Sequence, residues 1–284
     1  PIPTMTVTSP APYCPSDLIS ETDYNITTDP VGTVTYTWTA PPNIGMSSTG
    51  TGAAPTVPYN APANATQANI VGTISYTPSL AGCIGPVVTE TVTIKPTPVM
   101  QAMLDQYWCP AANTTPVTFA TFPVSAASTY TYSYNAGGGV PATGSTNPFP
   151  SLVTSNPSLN TLITAVTVTP TLNGCVGPPS GFNIYVYPNP IAKFSATNHV
   201  CEGQSMSFTD LSKPNTGSIT VNTWAWDMDN DGAIDASSQN PSYPYPVGSA
   251  GTIPVTLYIG TSSAPSCTAQ VTEPIYINPN PVAD

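Results

Sequence analysis

The chain carries almost no positive charge. Its 284 residues include three lysines (Lys95, Lys193, Lys213), no arginine and one histidine, His199, against fourteen acids, for a net charge of −11. Neutralising phosphates takes clustered Lys and Arg, so nucleic acid is excluded as a partner, and so is an anionic membrane surface. The same scarcity removes trypsin-like cleavage sites. No run of about 20 apolar residues is present, so no segment reads as a membrane-spanning helix. Helical periodicity with caps is missing as well, and 36 prolines with 20 glycines suppress long helices while supplying turns. Low charge accompanies disorder only where hydrophobic residues are scarce; here they make up 40% of the chain.

What the chain has in quantity is Thr, Val, Tyr and Ile, the residues of pleated strands. The runs "TVTYTWTA" (33–40), "ANIVGTISYTPS" (68–79) and "VTETVTIKP" (88–96) alternate with period two. A second set follows, "PVTFATF" (116–122), "TYTYSYNA" (129–136), "TLITAVTVTPT" (161–171) and "FNIYVYP" (182–188). Trp38, Tyr134 and Trp226 take equivalent places and read as core anchors.

Six cysteines fall as Cys14 and Cys83, Cys109 and Cys175, Cys201 and Cys267, with sequence separations of 69, 66 and 66 within the pairs. Close Cys-x-x-Cys or Cys/His pairs suited to zinc are absent. The spacing defines a repeat of one sandwich's size, which raises the length-based expectation of about two domains to three. It predicts one disulfide inside each repeat, stapling two loops at one pole, in an oxidising, extracytoplasmic setting. The phrases "VTIKPTPVM" (92–100), "IYVYPNPIA" (184–192) and "IYINPNPVAD" (275–284) end each repeat on spaced prolines. Proline lacks an amide hydrogen and disfavours helix before it, so each phrase reads as a stiff, extended joint. The last copy suggests an array continuing past Asp284, cut from a longer secreted polypeptide whose export and anchoring signals lie elsewhere.

Repeat 3 resembles a polycystic-kidney-disease (PKD) domain through "CEGQSMSFTDLS" (201–212), "WAWDMDNDG" (224–232), "NPSYPYPVGSAGTIPVTLYI" (240–259) and "CTAQVTEPIYINPNP" (267–281). It departs from that family at "SAGTIPVTL", where a bare Gly-x-Tyr-x-Val is usual. Repeats 1 and 2 resemble PKD-like modules of large Bacteroidota surface proteins through "YTWTAPPNIGMSSTGTG" (36–52), "GCIGP", "GCVGP" and the Pro-x-Pro ends. The resemblance implies an all-β chain: a tandem array of three immunoglobulin-like (PKD-type) β-sandwiches at 1–98, 99–190 and 191–284, one disulfide each. It further implies a non-enzymatic segment of an extracellular adhesin of the gliding-motility, type IX-secreted kind. Partners would be neighbouring repeats and a surface polysaccharide or protein. A substrate-binding or spacer region of a secreted polysaccharide- or protein-degrading enzyme, and a self-associating filament subunit, are the alternative readings.

The chemical candidate is "DMDNDGAID" (227–235), where Asp227, Asp229, Asp231 and Asp235 crowd around Gly232. Hard cations such as calcium take several oxygens from a tight loop, although Ser238 stands where an EF-hand has its bidentate Glu. The competing reading is an exposed acidic turn held by Asx hydrogen bonds. His199 has no nucleophile or orienting acid nearby and reads as a surface residue. "NAGGGVPATGSTNP" (135–148) lacks the Gly-Lys-Ser/Thr of a phosphate loop and reads as a flexible connection. Asn25, Asn64 and Asn113 begin N-x-Thr sequons.

Overall fold

A computed structural model describes residues 2–20, 27–29, 34–52, 58–135, 141–197, 199–214 and 219–281. The described chain is all-β apart from a single 3-10 turn at Pro42–Ile44, and its buried side chains gather into three clusters. They fall within residues 5–94, 100–186 and 194–277, one cluster to each sequence repeat.

Each repeat is built around a long antiparallel sheet. In repeat 1 the order runs Thr49–Gly52, Thr35–Thr39, Ile70–Leu80, Val88–Ile94. Repeat 2 matches it with Pro141–Gly144, Thr129–Asn135, Leu162–Leu172 and Ser180–Val186. The register is the same too: Ile70 faces Ile94 as Leu162 faces Val186, and Tyr36 faces Pro78 as Tyr130 faces Pro170. Repeat 3 uses Val221–Asp227, Gly251–Thr261 and Thr268–Asn278. Shorter pairs form the opposing face, such as Val99–Met100 with Thr121–Phe122 and Ser205–Asp210 with Ser242–Pro244.

Alternation decides which side chains enter each core. In Thr129–Asn135, "TYTYSYN", Tyr130 and Tyr132 point inward while Thr129, Thr131 and Ser133 face solvent. β-Branched threonines on the outer face favour the extended backbone without burying their hydroxyls. The inward rings of repeat 2 meet around Phe149, which lies edge-on to Tyr132 at 5.0 Å and to Phe182 at 5.6 Å. Trp226 anchors repeat 3 against Phe194 (5.3 Å) and Phe208 (5.6 Å), with its Nε1–H donating to Ser238 O at 3.0 Å.

The register corrects one anchor. Trp38 lies opposite Gly50, and its counterpart is Tyr132 opposite Gly144, not Tyr134, which is only half-buried. A Cβ on Gly50 would collide with the Trp38 ring, and one on Gly144 with the Tyr132 hydroxyl end, so glycine on the edge strand lets each ring lie across it. Gly144 also shows that the glycine-rich stretch is partly a strand; residues 136–140 of it lie outside the described residues.

One sequon is structural. Asn64 is buried, and its Nδ2 donates to Ala68 O and Ile94 O, both at 2.9 Å, while its Oδ1 accepts from the Thr66 N–H at 3.0 Å. Asn156, Ser158 and Asn160 repeat the arrangement in the second unit, with Val186 O in place of Ile94 O at 2.7 Å. Each asparagine thereby pins a loop to the end of the last strand of its repeat. Asn113 is exposed, and Asn25 lies outside the described residues. Asn64→Ala leaves buried carbonyls without donors and is expected to cost repeat 1 about 1–3 kcal/mol, read as a lower urea midpoint with the slope unchanged. Asn156→Ala should do the same to repeat 2, and an unshifted midpoint in both would refute the pinning role.

Candidate functional site

The cysteines do not pair as their spacing predicts. Cys14 bonds to Cys175 and Cys109 to Cys267, with Cα–Cα distances of 5.3 and 5.4 Å and sequence separations of 161 and 158. Cys83 and Cys201 are free thiols. Each bond therefore joins the first cysteine of one repeat to the second cysteine of the next, and the expectation of one disulfide inside each repeat is overturned.

Strand pairing supplies the reason. The segment before each first cysteine runs parallel to the end of that repeat's last strand. Tyr13 exchanges hydrogen bonds with Thr93 and Lys95 (2.9 and 2.8 Å), and Gln106–Trp108 pairs with Ser180–Val186. In repeat 3, Cys201 stands directly opposite Asn278. First cysteines thus sit at the pole where the chain leaves a repeat. Second cysteines sit in or beside the turn before the last strand, at the opposite pole. At about 3.3 Å per residue a seven-residue strand such as Val88–Ile94 separates the two by more than about 20 Å. A disulfide tolerates roughly 7 Å between Cα atoms. Bonding within a repeat is geometrically closed.

The joints are gripped from both sides. Val92, Ile94, Pro96, Pro98 and Met100 are all buried, as are Val186, Pro188 and Pro190, so the strand's alternation continues through the proline phrase. A Cβ on Gly177, in "GCVGP", would collide with the carbonyl oxygen of Pro98; one on Gly85, in "GCIGP", would collide with that of Pro3. The glycine is required by this close backbone approach. Across the first joint, Lys95 Nζ donates to Asn173 O at 2.7 Å, spending one of the chain's three cations on the turn that carries Cys175.

The acidic loop of repeat 3 is partly assembled as expected. Oxygens of Asp227, Asp229 and Asp235 lie within 4.8 Å of one another, and Asp231 is not among them. Asp231 instead accepts from the Ala233 N–H at 2.7 Å. Buried Asp227 accepts from the N–H groups of Asn230 (2.7 Å) and Gly232 (3.1 Å), and Asp235 accepts from that of Met228 (2.7 Å). Asn230 and Gly232 both have positive φ, which folds these amides back onto the carboxylates. Tyr243 donates to Asp229 at 3.2 Å; burial first, then the charge of Asp235 and its bond to Asp229, pushes the phenol up to about 12. Nearby, burial opposes ionisation of Asp210, yet donors from Ser212, Trp224 and Gln239 outweigh it and hold the carboxyl below its usual range. His199 is exposed, in keeping with a surface role.

One titratable group escaped the sequence reading. Glu90 in "VTETVTI" occupies an inward position of the alternation and is only 2% exposed. Its two oxygens, Tyr76 Oη and Trp38 Nε1 have no hydrogen-bond partner of normal geometry among the described residues. Burial raises the Glu90 carboxyl from 4.5 to about 7, with the neighbouring Tyr76 hydroxyl pulling weakly the other way. The signal was present, since an acid between Val88 and Val92 breaks an apolar face at period two.

No protein-family model matches the chain, and no curated protein matches it by sequence. Among solved structures it is similar to the PKD1 domain of Vibrio anguillarum Epp, at 24% identity and TM-score 0.26, over 32% of this chain and 96% of that one. The PKD1 domain of Vibrio cholerae metalloprotease PrtV is similar at 21% identity and TM-score 0.26, over 32% and 98%. Mouse cadherin-23 EC22-24 is similar over 98% of this chain and 99% of that one, at 13% identity and TM-score 0.34.

The raised carboxyl sets a pH dependence. Below 4.5 Glu90 is protonated folded or unfolded and costs nothing; between 4.5 and about 7 only the unfolded state releases the proton, so stability falls as pH rises. Above about 7 the loss is complete and flat. Glu90→Gln should abolish this slope in the melting temperature of repeat 1, and a slope retained in the variant would assign it elsewhere.

Proposed function

We propose that the chain is a non-enzymatic stalk segment of an extracellular surface adhesin, built from three modules at 1–98, 99–190 and 191–284. The carrying observation is that successive repeats are cross-linked to one another rather than internally. An internal bond stabilises a module; a bond between neighbours, beside a buried proline joint, also restricts bending. Each such bond still protects its neighbours from unfolding. If repeat 2 opens while repeat 1 stays folded, Cys14 lies beside Lys95 and the bond closes a loop of about 80 residues, a stabilisation of roughly 4 kcal/mol on the chain-entropy model. Disulfides support a secreted location. The gliding-motility and type IX context comes from the sequence resemblance alone.

The mechanism is mechanical: a stiff array holds a binding region for a surface polysaccharide or protein away from the cell. Modules of about 25–30 Å along the strands give three in line a length of about 75–90 Å. Small-angle scattering should return a maximum dimension near that length, with a broader distribution after reduction by dithiothreitol. A radius of gyration of about 19 Å, as for a single globule of this size, would overturn the stalk reading.

Calcium in repeat 3 is a secondary reading, supported by three carboxylates within 4.8 Å. Asp227, Asp229 and Asp235 would be its ligands, with an affinity of the weak extracellular class, about 10⁻⁴ to 10⁻³ M. Millimolar calcium should then raise the melting temperature of repeat 3, and Asp229→Asn should remove the shift. An identical melt in calcium and in chelator sinks it.

A further inference from the structure

One accessible aromatic pair on the outer face of repeat 2 has no counterpart in the other repeats. Tyr107 and Tyr185 are directly opposed in the parallel pairing of Gln106–Trp108 with Ser180–Val186, and their rings stack at 4.8 Å, within 8° of parallel. Opposed residues send side chains of equal length from one face of the sheet, so the carbons flanking one hydroxyl come beside those flanking the other. Hydrogen bonds fix this register on both sides. Asp105 Oδ1 accepts from the Asn183 N–H at 2.6 Å, and Trp108 O accepts from the Tyr187 N–H at 2.9 Å. Tyr107 is 45% exposed and Tyr185 is half-buried, which leaves both rings open to a dissolved oxidant. Other tyrosine pairs among the described residues are built differently. Tyr107 and Tyr187 lie 6.3 Å apart at 22°, Tyr132 and Tyr134 lie 6.4 Å apart at 33°, and Tyr243 meets Tyr245 edge-on at 69°. At the equivalent positions repeat 1 has Pro12 and Thr93, and repeat 3 has His199 and Tyr276.

We propose that Tyr107 and Tyr185 form a site of oxidative tyrosine cross-linking, with hydrogen peroxide and a haem peroxidase as the oxidant. Each phenol gives up one electron and one proton, and the peroxide takes up both sets to become two waters. The two phenoxyl radicals join through a carbon beside each oxygen, forming one carbon–carbon bond. The hydrogens on those carbons then move to the oxygens, so both phenols are restored and the product is two hydrogens lighter. The bond ties together two segments that both lead to repeat 3. Ser180–Val186 continues into the proline phrase, and Gln106–Trp108 ends beside Cys109, which is bonded to Cys267. Before coupling, a three-residue ladder holds one segment to the other. A covalent link there keeps the two tethers of repeat 3 from parting under load. The inference does not depend on the stalk reading, because the linked pair is detected whatever the overall shape of the chain.

The experiment treats the folded full chain, its free thiols at Cys83 and Cys201 first alkylated, with a peroxidase and hydrogen peroxide. The monomer band is then reduced, digested with pepsin and read by mass spectrometry. A cross-linked peptide carrying Tyr107 and Tyr185 is expected, two hydrogens below the summed mass of its parts, together with dityrosine fluorescence. Tyr107→Phe and Tyr185→Phe should each remove the peptide and most of the fluorescence, while Tyr187→Phe leaves both unchanged. Phenylalanine preserves the stack, and circular dichroism checks the fold of all three variants. The urea midpoint of repeat 2 should rise on coupling in the wild type and stay unchanged in Tyr107→Phe. Absence of the linked peptide overturns the proposal. So does coupling spread evenly over the chain's 15 tyrosines or found mainly between molecules, and so does a coupling yield that Tyr185→Phe does not lower. A wild-type midpoint that coupling leaves unmoved overturns the clamp.

Discussion

The parallel pairing of a short segment with the end of each last strand governs the rest of the structure. Tyr13, Trp108 and Val200 are drawn alongside Ile94, Val186 and Ile277, and the cysteine that follows is delivered to the exit pole of its repeat. Its sequence partner sits at the other pole. Because a disulfide spans only a few ångströms, the two do not meet, and Cys14 and Cys109 bond instead to Cys175 and Cys267 of the repeat that follows. From that constraint come the cross-linked joints.

The joints show backbone and side chains acting together. Proline cannot donate to a ladder, so a proline phrase ends a strand; yet alternate residues remain buried through both internal joints. Glycine at the following turn lets a proline carbonyl approach more closely than any Cβ would allow. Lys95 and the disulfide then fix the turn against the exit pole of the repeat before it. The result is a joint held by contacts at several points.

Two local features were hidden behind familiar signatures. Asn64-Ala-Thr reads as a glycosylation sequon, but the same geometry recurs at Asn156-Pro-Ser, where proline excludes that reading, and the shared element is a buried amide bridging a loop to a strand end. The four aspartates of repeat 3 read as a ligand set. Most of their oxygens are spent on backbone amides of their own loop, and Asp231 turns away to Ala233. Glu90 shows the reverse case, a plain violation of strand alternation that spacing rules aimed at motifs passed over.

Period-two alternation, turn residues and repeat length by themselves determined an all-β chain in repeating units, because strand geometry couples directly to which residues are apolar. The identity of the aromatic anchors was legible to within one turn of the pleat: Tyr132 and Tyr134 share a face, and only register separates them. Cysteine pairing was beyond the sequence. Spacings of 66 to 69 residues within repeats and of 158 to 161 across them are equally regular, so periodicity carries no preference between the two. Only the tertiary structure decided, by placing the two cysteines of every repeat a full strand length apart.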